Sequence, residues 1–223
     1  MRLRLSTLLI PPALLVLWAH PLLAREGFFL GGGLANENAT GDFKGNAALA
    51  SVDGTEVIVP GKPGAGNGLE LMLGYGFNRY IGIEFDLADT GNIASAHVPG
   101  FPSKSSSDVS TNMIGARLTL PVSHAWDLFA RLGLAQATME FDSYAQDNFG
   151  TFGTVSHGVA FYGYGYAAGV GAEYFIHRWG IGAGYTLYQI AFTQSSADGI
   201  SALPRTLKEN LGQADLTVAY HFW

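Results

Sequence analysis

The feature that most constrains this chain is a two-residue alternation that recurs in segments about ten residues long. The clearest runs from Ala160 to Tyr174. Tyr162, Tyr164, Tyr166, Ala168, Val170, Ala172 and Tyr174 fall on one face, and Gly163, Gly165, Ala167, Gly169, Gly171 and Glu173 on the other. Successive side chains of a strand point to opposite faces, so this reads as a strand with one apolar face. The pattern returns in Gly68–Tyr75, Tyr80–Ala88, Val109–Leu120, Trp126–Ala137, Gly180–Thr193 and Gly212–Phe222. Gly27–Ala35 is a weaker first strand, because Phe28 and Phe29 leave its facing ambiguous. Eight strands are predicted and no helix. Each is about as long as a tilted strand that crosses a bilayer.

Composition narrows the class. Hydrophobic residues make up 48% of the 223 residues and charged residues 13%, with 30 Gly and no Cys. Charged residues are about a quarter of a typical soluble domain. Yet no stretch approaches the ~18–20 apolar residues of a spanning helix. The longest, Leu8 to Ala19, is broken by Pro11 and Pro12. A helical membrane protein is excluded, as are a disulfide framework and a disordered chain. A soluble Gly-rich β-protein and a membrane β-barrel remain.

The first 24 residues read as a secretory signal peptide: Arg2 and Arg4, an apolar middle from Leu8 to Trp18, and Leu22-Leu23-Ala24 at the cleavage site. Residues 25–223 are then one domain. The net charge of −6 becomes more negative once those two arginines are removed. Nucleic acid is not an expected partner, and no polybasic strip addresses anionic lipid.

The links between strands alternate in length. Gly76–Arg79, Pro121–Ala125 and His177–Trp179 are short. Four others, about 36–67, 89–108, 142–159 and 194–210, are long and polar. The first carries Gly61, Pro63, Gly64 and Gly66, and the second Pro99, Pro102 and Ser105–Ser107, so both are expected to be mobile surface segments. Strict alternation places every long loop at one end of an up-and-down meander.

Facing separates the two surviving classes. A soluble barrel turns apolar residues inward, and a membrane barrel reverses this. The interior of an eight-stranded barrel only just holds side chains, which suits the glycine-rich face. The tyrosine-rich face suits lipid and its boundary. Aromatics gather beside the short turns: Tyr75, Phe77, Tyr80, Trp126, Tyr174 and Trp179, with Tyr220 and Trp223. Rings with a polar tip favour the headgroup level.

With Gly27-Phe28-Phe29-Leu30-Gly31, the Gly/aromatic alternation of Tyr162–Tyr174 and the last strand in place, the chain resembles the small eight-stranded outer-membrane barrels, the OmpA-like and OmpX/opacity-type group. The resemblance implies an all-β, antiparallel up-and-down barrel in the outer membrane of a Gram-negative bacterium. It implies outer-membrane lipids and lipopolysaccharide as surroundings, and a monomer. In this group the last strand resembles a signal read by the outer-membrane assembly machinery. Leu216, Val218, Tyr220 and Phe222 match that alternation, and Trp223 departs by one residue. The terminal aromatic is then either Phe222 with Trp223 appended, or Trp223 in a shifted register.

If the apolar face meets lipid, Glu70, Glu84, Asp86, Arg117, Arg131, Glu173 and Asp215 point into the lumen. Five of them, Glu70, Glu84, Arg117, Arg131 and Glu173, lie a few residues from a short turn, about 10–15 Å from that rim at the usual rise and tilt. An unpaired buried ion costs several kcal/mol, so these charges need partners. Strand order predicts Glu84–Arg117 and Arg131–Glu173 pairs, and a lumen plugged by side chains. A gated ion path is the functional alternative.

Catalytic signals are thin. Some barrels of this size are lipid A acyl-chain enzymes, and the deacylase type carries His and Ser two positions apart beside an acid. Here Ser156-His157 and Ser123-His124 are adjacent pairs. His97, His177 and His221 have no partner at ligand spacing, so no metal or other cofactor is expected. The leading expectation is a plugged surface-interaction barrel, serving adhesion or envelope integrity by binding a host or cell-surface ligand through its loops. A lipid A-modifying enzyme, a small-solute channel and a soluble periplasmic ligand-binding barrel are the alternatives.

Overall fold

A computed structural model describes residues 26–41, 48–52, 55–59, 65–96, 105–146, 155–197 and 206–222. These form ten strands: β1 Gly27–Gly41, β2 Ala48–Val52, β3 Thr55–Val59, β4 Ala65–Gly76, β5 Ile81–Ala96, β6 Ser105–Pro121, β7 Trp126–Gln146, β8 Val155–Ile176, β9 Trp179–Ala197 and β10 Thr206–His221. No helix among the described residues is long and apolar enough to cross a membrane.

Eight strands close into a barrel. The order β7-β6-β5-β4-β1-β10-β9-β8 is antiparallel throughout, and β7 pairs β8 to shut the ring. The first and last strands are neighbours, from Phe29 opposite His221 to Gly41 opposite Glu209. Closure leaves the barrel no sheet edge, which is the condition for backbone polar groups to be satisfied within a bilayer.

Local chemistry shapes the short-turn end. Asn78 Oδ1 accepts from the backbone N–H groups of Tyr80 at 2.8 Å and Ile81 at 3.0 Å. Ser123 Oγ does the same for Ala125 and Trp126, at 3.2 and 3.1 Å. Such side-chain caps replace ladder bonds that a turn cannot make. His177 opens the tight β8–β9 turn with φ 58°, in the left-handed region.

The strands extend much further at the long-loop end than their apolar alternation predicts. β8 has 22 residues and β7 has 21. The expected loops 89–108, 142–159 and 194–210 are therefore largely strand at both ends. The expected loop 36–67 holds the β2–β3 hairpin, and β3 pairs the end of β7 at Glu56–Gln146 and Val57–Ala145.

The apolar alternation stops short of the strand ends because the faces invert there. Along β9, Ile181, Tyr185 and Leu187 are exposed outward, but beyond them Tyr188, Ile190 and Phe192 are buried while Gln189 and Thr193 face out. β7 switches likewise, with Leu132 and Leu134 outward, then Met139 inward and Glu140 outward. Alternation continues with its polarity reversed, so the apolar signal fades where the strand does not.

Candidate functional site

Two regions carry the chemistry: the lumen and the outer face of the barrel.

Near the turn end the lumen is charged. The structure places Glu70, Glu84, Asp86, Arg117, Arg131, Glu173 and Asp215 inside, each no more than 6% exposed. Arg117, on β6, donates to Glu84 Oε2 at 2.6 Å and to Glu173 Oε2 at 2.7 Å. Arg131, on β7, lies among four carboxylates. Its Nη1 is 3.3 Å from Asp86 Oδ2 and 3.6 Å from Glu70 Oε1, its Nε 3.5 Å from Glu84 Oε1, and its Nη2 3.6 Å from Asp215 Oδ1. Glu84 therefore bridges the two arginines. The expected Glu84–Arg117 pair is present. In place of the expected Arg131–Glu173 pair, Glu173 joins Arg117 and His221. Neighbouring-strand logic misses this because the lumen is narrow: Arg131 on β7 reaches Glu70 on β4 and Asp215 on β10, across the barrel.

Aromatic rings complete the layer. The Phe129 ring packs against both guanidinium groups, 4.1 Å from Arg117 Cζ and 5.0 Å from Arg131 Cζ, where it attracts both cations. The glycine face supplies the room. A Cβ at Gly171 would run into the Phe129 ring, and one at Gly74 into Phe29. At Gly184 it would sit 2.8 Å from both Asp215 oxygens and 3.1 Å from Arg131 Nη2. His221 closes the turn end. Its Nε2 is 2.9 Å from Glu173 Oε1, and its ring packs between Phe29 and Phe175 at 5.3 and 5.0 Å. Sequence reasoning passed over His221 as a residue without a ligand-spaced partner, and Asp127, which is also buried. Their inward positions in the alternation were the available signal.

Above this layer the lumen changes character. Thr90 Oγ1 donates to Glu37 Oε2 at 3.0 Å, and Thr111 faces Gln213 at 3.4 Å. Beyond lies an apolar core in which Met113, Met139, Phe161, Tyr188, Ile190, Phe192 and Leu211 are all 1% exposed or less. Each such side chain contributes about 1.5–3 kcal/mol relative to exposure to water. The ion-pair layer and the apolar layer both face the barrel interior. A small cavity of about 30 Å³ opens at the turn end among Phe29, Arg79, Arg117, Glu173, Phe175 and His221. Among the described residues no group of His, Cys, Asp and Glu is arranged to hold a metal ion.

The outer face is a band of exposed large apolar side chains, including Leu69, Leu71, Phe85, Leu132, Leu134, Val170 and Leu216, each 39–68% exposed. At its turn-end rim Tyr75, Phe77, Trp126, Tyr174 and Trp179 face outward, and Tyr80 is half-buried. Their rings pair: Tyr75 with Phe77 at 5.5 Å, Trp126 with Tyr174 at 5.0 Å, Trp179 with Tyr220 at 5.0 Å. Arg79 stacks on Tyr80 at 4.5 Å. Leu216 and Val218 are exposed, Tyr220 is half-exposed, and Phe222 continues the row at 57% exposed. The Phe222 N–H donates to Phe28 O at 2.8 Å, so the outward row reaches Phe222 in register. Trp223 lies outside the described residues.

At the other rim Asn36, Asn67, Asp89, Asn112, Gln136 and Gln189 take over the outward positions. On β7 the band runs from Trp126 to Gln136. Ten residues at ~3.3 Å rise and ~40° tilt give about 25 Å of height, the apolar thickness of an outer-membrane barrel.

A closed eight-stranded barrel, apolar outside at bilayer height and charged within, meets its family here. Residues 12–222 match the family model described as outer membrane protein beta-barrel domain. The chain belongs to this family. Solved structures agree on the fold. Neisserial surface protein A is 14% identical, with 89% of this chain and 99% of that one covered at a TM-score of 0.56. The outer membrane protein OprG from Pseudomonas aeruginosa is 17% identical, with 88% and 96% covered at 0.54. The attachment invasion locus protein Ail of Yersinia pestis, in complex with the heparin analogue sucrose octasulfate, is 17% identical, with 88% and 99% covered at 0.50. No curated protein matches the chain in sequence.

Proposed function

We propose that this outer-membrane barrel is a plugged anchor whose work is done at its long-loop end, as a surface-interaction protein in adhesion or envelope integrity. The observation that supports this reading is the row of charged and apolar side chains turned into the lumen. Two arginines spread over five carboxylates lie inside the turn half, and the apolar core lies inside the loop half. A solute path would have to displace both. With short turns toward the periplasm and long connections outside, as in outer-membrane barrels generally, the tall ends of β7 and β8 and the β2–β3 hairpin face the exterior. Residues 1–24 act as the export signal, the outward row from Leu216 to Phe222 is read during assembly, and the band lies among outer-membrane lipids and lipopolysaccharide. A barrel of the same fold, Ail, has been solved with a heparin analogue bound.

Replacing residues 97–104 and 147–154 by short turns tests this reading. The barrel should still reach the outer membrane and show its heat-dependent gel shift. Adhesion of intact cells or their resistance to detergent should fall toward that of a deletion strain. Unchanged adhesion and unchanged resistance would remove the loop-end role. An altered lipid A profile in the deletion strain would instead favour the acyl-chain enzyme.

A further inference from the structure

The rim of the lipid-facing band is not uniform around the barrel. On β1, β4 and β6 the outward residue that ends the band is a single amide: Asn36, Asn67 or Asn112. On β8 it is a ladder of three tyrosines. Tyr164 and Tyr166 are 62% and 67% exposed and Tyr162 is half-exposed. They stand at every second residue, so the ladder rises about 13 Å along the strand. The Tyr164 hydroxyl donates to the Tyr162 hydroxyl at 3.0 Å, and the two rings meet edge to face at 5.0 Å.

The register says what stands beside them. Gln136 on β7 is opposite Tyr164, and Gln189 on β9 is opposite Tyr166. Ala191 is the other neighbour of Tyr164, and Lys208 on β10 is opposite Ala191. Tyr164, Ala191 and Lys208 thus form one row across three strands, with a methyl group between a ring and an ammonium. Two strand spacings put their backbones about 10 Å apart. Charge differs around the rim. Asp89 on β5 faces outward on the far side. Asp108 on β6 is opposite Glu140 on β7, so carboxylates stand beyond the upper end of the tyrosine ladder, whereas the Tyr164 row itself carries a lysine. Glu140 lies one outward step beyond Thr138, opposite Ala160.

This face is continuous with the lipid-facing band, so a membrane sets lipid headgroups against it. Exposed ring faces beside carboxamides suit a sugar, which offers C–H faces to the rings and hydroxyls to the amides. A cation across a small residue suits a phosphate. We propose that the outward face of β8, β9 and β10 around Tyr162, Tyr164, Tyr166, Ala191 and Lys208 docks the phosphorylated sugar headgroup of an outer-leaflet glycolipid. The inference rests on the membrane placement proposed above and deepens it. It makes no use of the loops.

Native mass spectrometry of the refolded full barrel in detergent tests it, with lipid A and phosphatidylglycerol as competing anionic probes. The wild type should retain lipid A several-fold in preference to phosphatidylglycerol. The triple variant Y162L/Y164L/Y166L should lose at least fivefold in retained lipid A, with its phosphatidylglycerol adducts unchanged. K208Q, which alters no ring, should lose severalfold. N67A, on β4 across the barrel from β8, should match the wild type. The heat-dependent gel shift checks that each variant is folded. Equal retention of the two lipids would overturn the proposal, as would lipid A adducts indifferent to the tyrosines and Lys208, or lost equally in N67A. A chain that stays soluble without detergent and carries neither lipid would contradict the membrane placement itself.

Discussion

Arg117 holds Glu84 at 2.6 Å, and the other oxygen of the same carboxylate lies 3.5 Å from Arg131. Glu84 is thus the link between the two cations of the lumen. The layer behaves as one unit, because removing either cation leaves several carboxylates buried without compensation.

Arg131 faces four carboxylates, so its loss is the more costly. Arg131→Met should destabilise the barrel by about 3–5 kcal/mol, the usual cost of stranding buried charge. Glu70→Gln and Asp215→Asn should cost far less, since each removes one of the surplus negative charges. Equilibrium unfolding in urea, with the barrel in micelles, measures all three. An Arg131→Met barrel as stable as the wild type would show that the layer contributes nothing.

Much of this was legible in the sequence. The seven charges stood out as exceptions on a glycine-rich face, and the outward row of Ile81, Ile83, Phe85 and Leu87 marks β5 directly. What was not legible has physical causes. Arg131 reaches Glu70 and Asp215 across the barrel, and strand adjacency alone cannot reveal a contact through a narrow lumen. Tyr188, Ile190 and Phe192 point inward beyond the membrane rim, so the apolar face that marks a strand in lipid changes sides there. His221 acts through Glu173 and two phenylalanines rather than through a spacing motif.

The glycine face should resist enlargement. Gly171→Ala places a methyl group against the Phe129 ring that packs on both arginines. Gly184→Ala sets one beside the Asp215 carboxylate and Arg131. Each should cost about 1–3 kcal/mol as overpacking. The same urea titrations report it, and no loss at Gly171 would mean that Phe129 can move aside freely.

The outward band can be mapped by charge. Leu132, near mid-height on β7, is 65% exposed, and Gln136 lies at the rim. Leu132→Arg should cost about 2–4 kcal/mol and Gln136→Arg about 0–1 kcal/mol, the depth dependence of a lipid-facing arginine. Equal costs in lipid vesicles would misplace the membrane.

His177 opens its two-residue turn at φ 58°. Glycine adopts that conformation without a Cβ penalty, so His177→Gly should stabilise the barrel by about 0.5–1 kcal/mol. A shift of the urea midpoint to lower concentration would contradict this.

The plug itself is tested most directly by electrical recording. The purified barrel, inserted in a planar bilayer at neutral pH, should give a current trace indistinguishable from the bare membrane. Arg131 with its carboxylates and the Phe161–Phe192 core should leave no continuous water path. Steady unitary conductance above background from the wild-type chain would contradict a sealed lumen, and with it the assignment of the protein's work to its loop end.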